Sequence, residues 1–338
     1  MISEEGRDTP ECLKQKLMSC RSLKYVLQQS SVRISQIDVI GGPDGIFESI
    51  SDDTEKITLK NPSPVIRVGD FVRNHNQRLP QKVICSCKFE ISRLDVNSTS
   101  KLIFGNMFFK NVSIWVSDII LELHDVHLNN VKIADKKGEQ LYLVFINTTW
   151  SFQTNFQGKA SNNVVLTQTK YLHLSVQESD FVNTIFSIRV QYFSIYVKSV
   201  MYSLCPLKTA SAVFEIQRTK DWFISLNTLM FVDVSVIPFN TQSKDKHPFI
   251  FVKTQSIDLN LLHCHFQSMS QVLVVEGKIH DKLFDGSCLS IFIFKCHFRD
   301  IHSKNSGAVA FISLQKHNTP LVHANISFSH CTFINTSS

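Results

Sequence analysis

Ten residues, Ile257 to Phe266, set a pattern that the chain repeats to its end, and this repetition limits the fold more than any other feature. Ile257, Leu259 and Leu261 alternate as one face of a strand does. Two residues then turn a corner, and Cys264 and Phe266 resume the apolar face. With these positions numbered as slots 1, 3, 5, 8 and 10, the same slots hold Leu289, Ile291, Ile293, Cys296 and Phe298, and then Ala324, Ile326, Phe328, Cys331 and Phe333. Toward the N-terminus the template reads Trp222, Ile224, Leu226, Leu229, Phe231, then Phe193, Ile195, Val197, Val200, Tyr202, then Leu172, Leu174, Val176, Ser179, Phe181. It continues as Ile119, Leu121, Leu123, Val126, Leu128 and as Ser100, Leu102, Phe104, Met107, Phe109. Tyr142, Val144 and Ile146 with Trp150 and Phe152 make a ninth rung if its corner holds one extra residue.

A short motif held constant while the loops between copies change length is the mark of stacked coils. The pattern therefore predicts an all-β, single-stranded parallel β-helix, in which each coil gives a strand to each of several parallel sheets, about 4.8 Å from the next coil. One coil alone cannot bury its inward row, so stability comes from stacking like on like, Phe over Phe and Cys over Cys. A β-sandwich is the competing fold, but its strands have no reason to repeat one corner at one offset in nine places. Further strands are expected after each tenth slot, as at Ala308 to Leu314, Gln271 to Val275, Pro248 to Lys253 and Ala212 to Gln217. The loop insertions grow toward the C-terminal half, with Phe239 to His247 the most polar, and loops of this kind are where solenoids place recognition.

Upstream of Ser100 the strands shorten to Ile37 to Ile40, Ile57 to Leu59 and Val65 to Val68, separated by the turn signal Gly41-Gly-Pro-Asp-Gly45. Val83 to Phe89 reads as a further rung of unsettled register. Residues 1–33 stand apart: Cys12 and Cys20 flank a Lys-rich spacer, and Ser22 is placed to cap a short helix with Leu23, Val26 and Leu27 on one face. That helix would cover the first coil, giving a cap over 1–33 and a β-helix over 34–338. The final rung is followed by no capping element, so the chain reads as part of something longer, truncated at the C-terminus.

Hydrophobic residues at 43% against 19% charged exclude a disordered chain. The net charge of +6 is spread thinly, and the aromatics sit in inward slots, so nucleic acid is not an expected partner. No apolar run reaches the roughly 18 residues of a membrane span. The opening Met1-Ile-Ser-Glu-Glu-Gly-Arg-Asp is polar where a signal peptide would be apolar.

Alternation followed by Cys-x-Phe and then Asn or Ser, as in Ser329-His-Cys-Thr-Phe-Ile-Asn335, resembles the right-handed parallel β-helix of the pectin-lyase-like superfamily. The nearest likeness is to the repeats of polymorphic outer membrane proteins and of large animal extracellular proteins. Ser306-Gly-Ala-Val309 is similar to the Gly-Gly-Ala-Ile half of that repeat, and Cys12 to Leu27 to its N-terminal cap, where a Cys pair precedes a short capping helix. The resemblance implies a right-handed coil and an extracellular setting, and Cys12 with Cys20 is the disulfide to expect.

The remaining chemistry is weighed against structural roles. Cys264, Cys296 and Cys331 share one inward slot and read as a buried thiol ladder beside Phe266, Phe298 and Phe333. Cys85 and Cys87 are too close on one strand to pair comfortably. His265 and His297 stack outward, with His302 near, and Glu122, His124, Asp125 and His127 form another polar cluster. Neither gives the converging ligand set of a regular metal site, and no cofactor is expected. A lyase or hydrolase would need clustered carboxylates with a base on an outer face. The rungs offer only isolated acids such as Glu122, Asp180 and Asp300, with Asp52-Asp53 in a loop. Asn97, Asn111, Asn147, Asn325 and Asn335 each open an N-glycosylation sequon. These features together suggest an extracellular, non-enzymatic stalk or adhesion module that recognises carbohydrate or a cell-surface protein. A carbohydrate-active enzyme and an intracellular scaffold are the alternatives, and a membrane anchor would belong to a longer parent protein.

Overall fold

The computed structural model describes residues 7, 9–13, 20, 25–26, 34–38, 55–59, 65–69, 84–85, 88–93, 101–110, 112–135, 138–151, 163–182, 184–204, 212–218, 227–238, 248–254, 256–278, 287–303, 307–315 and 322–337. The chain is an all-β parallel β-helix, divided into two compact units, Met1–Asn163 and Val164–Ser338.

Each coil supplies three strands. Slots 1 to 6 lie in a first sheet, slots 9 to 11 form a strand of two to four residues in a second, and the segment after them joins a third. In the Met1–Asn163 unit the first sheet runs Gln36–Asp38, Val65–Gly69, Lys101–Gly105, Ile120–His124, Gln140–Ile146, in chain order and parallel throughout. Its second sheet is Ile84–Cys85, Phe108–Lys110, His127–Asn129, Thr149–Ser151, and its third is Glu55–Leu59, Lys88–Arg93, Ser113–Val116, Lys132–Asp135.

The Val164–Ser338 unit repeats the plan. Its first sheet is Tyr171–Gln177, Tyr192–Lys198, Thr228–Val232, Ile257–Leu262, Ser287–Phe294, Val322–Ser329. Its second is Asp180–Val182, Met201–Leu204, Ser235–Pro238, His265–Gln267, His297–Arg299, Thr332–Ile334. Its third includes Thr184–Val190, Phe214–Arg218, Pro248–Lys253, Gln271–Lys278, Ala310–Gln315.

The inward slots make the core. Phe266 pairs in register with Phe298 and Phe298 with Phe333; ring centroids are 5.6 and 5.2 Å apart with interplanar angles of 6° and 14°. Burying each such ring stabilises the fold by about 2–3 kcal/mol, and the offset stacking adds to that. Among the described residues no coil covers the last one, so Ile326, Phe328 and Phe333 remain exposed although they hold inward slots.

Three sequence-based registers need correction. In the rung at 141–150 the inward residues are Leu141, Leu143, Phe145, Thr148 and Trp150, while Tyr142, Val144 and Ile146 face outward. Both faces of this strand are apolar, so alternation alone could not choose between them. With Thr148 at the corner no extra residue is needed; Phe152 lies outside the described residues. The second correction concerns Leu229 and Phe231, which occupy slots 3 and 5, paired with Ile195 and Val197, rather than 8 and 10. Slot 1 there is Asn227, and slots 8 and 10 are Val234 and Val236. Trp222, Ile224 and Leu226 lie outside the described residues.

The aromatic that this coil lacks is supplied from the third sheet. Phe249 packs edge-on against Tyr202, Phe231 and Phe266 at 5.4 to 6.0 Å. The third correction is to Val83–Phe89, which is not one rung: Ile84–Cys85 belongs to the second sheet and Lys88–Arg93 to the third.

At the N-terminus Pro10–Leu13 forms a 3-10 turn, and Cys12 is disulfide-bonded to Cys20 with Cα atoms 5.2 Å apart. Tyr25 and Val26 are helical, with Val26 buried; the rest of the expected capping helix lies outside the described residues.

Candidate functional site

The outer surface is organised by what happens at the corner between slots 6 and 9. Slot 7 is left-handed in every rung from Asn106 onward, with φ between 47° and 55° at Asn106, Asp125, Asn147, Glu178, Ser199, Asp233, His263, Lys295 and His330. A single left-handed residue swings the chain through the bend. Its N–H then bonds to the slot-6 carbonyl of the next coil, as from His263 to Phe294 and from Lys295 to Ser329. Such a conformation costs about 1–2 kcal/mol in a residue with a Cβ, less in Asn or Asp, and the repeated bond offsets it.

Slot 8 turns inward, and its side chain caps the bend. Cys264 Sγ donates to Leu262 O at 3.3 Å, Cys296 Sγ to Phe294 O at 3.4 Å, and Cys331 Sγ to Ser329 O at 3.4 Å. Ser179 Oγ and Thr148 Oγ1 make the same bond in their own coils, at 2.7 and 3.3 Å. The thiol ladder is therefore one version of a corner-capping position. Its hydrogen bond with Cys296, together with burial, raises the Cys264 pKa far above the ordinary thiol range, which leaves Cys264 a protonated, unreactive group.

Because slots 7 and 9 both project outward around this bend, side chains on consecutive coils form short exposed ladders. In the Val164–Ser338 unit slot 7 gives His263, Lys295 and His330, all exposed, and slot 9 gives His265 and His297, whose rings stack 5.6 Å apart at 19°. Beside them on the first sheet are Phe292 and Phe294, rings 5.8 Å apart and 13° from parallel, with Phe292 37% exposed. Lys295 Nζ lies 5.2 Å from the centre of the Phe294 ring, while the His263 and His330 rings lie 5.8 and 5.4 Å from it. One coil earlier, Asn260 Nδ2 donates to Asp258 Oδ1 at 3.0 Å on the same face. An exposed apolar ring edged by amide, carboxylate and imidazole groups suits an amphipathic ligand. Phe292, Phe294 and the slot-7 ladder escaped the sequence reading because the template treated these positions only as solvated spacers.

A second cluster lies in the Met1–Asn163 unit. Glu122, only 8% exposed although on an outward slot, is held between Lys101 Nζ at 2.6 Å and His124 Nε2 at 3.0 Å. Of its expected companions His124 stays and the other two go elsewhere: Asp125 Oδ1 accepts from Asn147 Nδ2 at 2.6 Å, and His127 stacks on Phe108 at 4.9 Å.

The other anticipated positions are dispersed. His302 Nδ1 meets Ser337 Oγ at 2.8 Å, and Asp300 Oδ1 accepts from Asn335 Nδ2 at 2.7 Å. Asp180 stands exposed at slot 9 of its coil. Among the described residues no group of three His, Cys, Asp or Glu is arranged to hold a metal ion; the flat stacking of His265 on His297 keeps their lone pairs from converging. Of the sequon asparagines, Asn147, Asn325 and Asn335 are exposed, while Asn97 and Asn111 lie outside the described residues. Asp52-Asp53, Cys87 and the Phe239–His247 insertion also lie outside them. No protein-family model, curated protein or solved structure matches the chain.

Proposed function

We propose that the chain is a non-enzymatic extracellular β-helical module, a stalk or adhesive surface that recognises carbohydrate or protein. The observation that carries this reading is the exposed face built by Phe292 and Phe294 with Asp258, Asn260, His263 and His330 around them. Aromatic faces pack against the C–H faces of sugar rings, and neighbouring amide, carboxylate and imidazole groups bond to hydroxyls. The Cys12–Cys20 bond and the exposed sequon asparagines Asn147, Asn325 and Asn335 support an oxidising, secretory setting. Repeats like those of the pectin-lyase-like superfamily and of polymorphic outer membrane proteins are compatible with it.

The test is retention on a glycan array and on cell surfaces by the intact chain, compared with a Phe292→Ala/Phe294→Ala double variant. Binding that the double variant loses without polysaccharide being degraded supports the module; binding unchanged by the substitutions contradicts it.

A second reading, a carbohydrate-active enzyme, is favoured by one observation: the Lys101–Glu122–His124 cluster gathers an acid and two bases on an outer slot. Against it, both carboxylate oxygens of Glu122 are already engaged, one by the Lys101 ammonium and the other by the His124 ring. Release of reducing or unsaturated ends from polysaccharides, abolished by Glu122→Gln, would establish that reading instead.

A further inference from the structure

The chemistry of the corner ladders, taken on the premise that the Phe292–Phe294 face binds glycan, narrows the class of glycan. His263, Lys295 and His330 occupy slot 7 on three consecutive coils; His265, His297 and then Arg299 project around the same bend. The acids facing them are few. Asp233 Oδ1 is 3.5 Å from His263 Nδ1, Asp300 Oδ2 is 3.4 Å from Arg299 Nε, and Asp258 is engaged by Asn260. Ser329 Oγ bonds to His330 Nδ1 at 2.8 Å, and the remaining neighbours along the two ladders, Ser235 and Thr332, are neutral. Asp233, Asp258 and Asp300 thus set three negative charges against the fixed cations Lys295 and Arg299, leaving four imidazoles as the variable part of the charge.

Imidazole as a class is the side chain that gains positive charge between about pH 8 and 5, so a surface rich in it suits an anion better on the acid side of that range. An anion lying along the strip would meet His265 and His297 side by side, their rings 5.6 Å apart. Cationic positions that recur at the coil spacing of about 4.8 Å suit a polymer with regularly repeated anionic groups rather than a single ion. The Phe294 ring among them suits a polymer of sugar rings. A sulfate ester keeps its charge throughout the range in which the imidazoles acquire theirs.

We propose that this strip binds a sulfated polysaccharide, and binds it more tightly as the pH falls.

The experiment measures binding of the whole chain to immobilised dextran sulfate, dextran and polygalacturonate at about pH 7.5 and 5.5 and constant ionic strength. Dextran sulfate is expected to bind about tenfold more tightly at the lower pH, by charge-assisted contacts that dextran cannot make. A variant carrying His263→Gln, His265→Gln, His297→Gln and His330→Gln should lose that gain while keeping its β-sheet circular dichroism. His124→Gln/His127→Gln, in the other unit, should keep it. Equal affinity at both pH values, a gain that survives the four substitutions, or preferential binding of single-stranded DNA or anionic lipid vesicles would overturn the proposal. Retention of dextran at both pH values with no added effect of sulfate would overturn it and leave the glycan-binding reading standing. Failure to retain any polysaccharide at either pH would remove both.

Discussion

Slot 8 shows how a single side chain serves this fold. Its work is to fill the bend and, where it carries a donor, to cap the slot-6 carbonyl, so Cys, Ser, Thr and Val are near-equivalents there. Replacing Cys296 by Ser or Val should cost less than about 1.5 kcal/mol, and Cys296→Leu about 1–3 kcal/mol through overpacking; denaturant midpoints separate the cases. Slot 7 makes the opposite demand, on the backbone. Glu178 is left-handed with φ 49°. Glu178→Gly removes that cost and should stabilise by about 0.5–1 kcal/mol, whereas Glu178→Val should destabilise by more than that. Burial lowers the pKa of His173 from the ordinary 6.5, so on acidification the unfolded chain takes up this proton first. Stability from this source is therefore intact above pH 6.5 and declines as pH falls below it. His173→Gln should flatten the decline in denaturant midpoint measured across that window.

At the scale of the strand, the coil containing Thr228–Val232 is the instructive one. Asn227 lies fully buried at slot 1: its Oδ1 accepts from Phe193 N at 3.1 Å on the coil before, and its Nδ2 donates to Ser256 O at 3.2 Å on the coil after. Asn227→Ala leaves two buried backbone groups unpaired and should cost about 2–4 kcal/mol in chemical denaturation; Asn227→Asp, which keeps only the acceptor, should also destabilise. This coil was misread from sequence because its tenth slot is Val236 and its missing ring comes from Phe249, some thirteen residues on. Where Cys-x-Phe marks the bend, as at Cys264 and Cys296, the register was legible to the residue. Where both faces are apolar, as from Leu141 to Ile146, it was not. The left-handed corner was hidden because Glu, Ser, Lys and His fill it as readily as Asn. The outward stack of His265 on His297 was legible from their shared slot, but the Phe294 cluster was hidden for a related reason: outward slots carry no periodic signal, and only the stacking of coils brings Phe294, His263 and His330 together.

At the scale of the molecule, stability and surface follow in each of the two units from the same arrangement, coils laid in register so that an inward row is covered by the coil after it and an outward row becomes a ladder. That register is open to direct measurement. Nitroxides attached through ketone-bearing residues substituted at Asp258 and Ser290, paired on adjacent strands of the first sheet, sit one coil apart. Continuous-wave electron paramagnetic resonance should then show strong dipolar broadening, as befits backbones about 4.8 Å apart, and the same label pair moved to Asp258 and Asn325, two coils apart, should show weaker broadening. Spectra for Asp258 and Ser290 no broader than the sum of the single labels would contradict the in-register stack, and with it the corner ladders from which the binding surface is built.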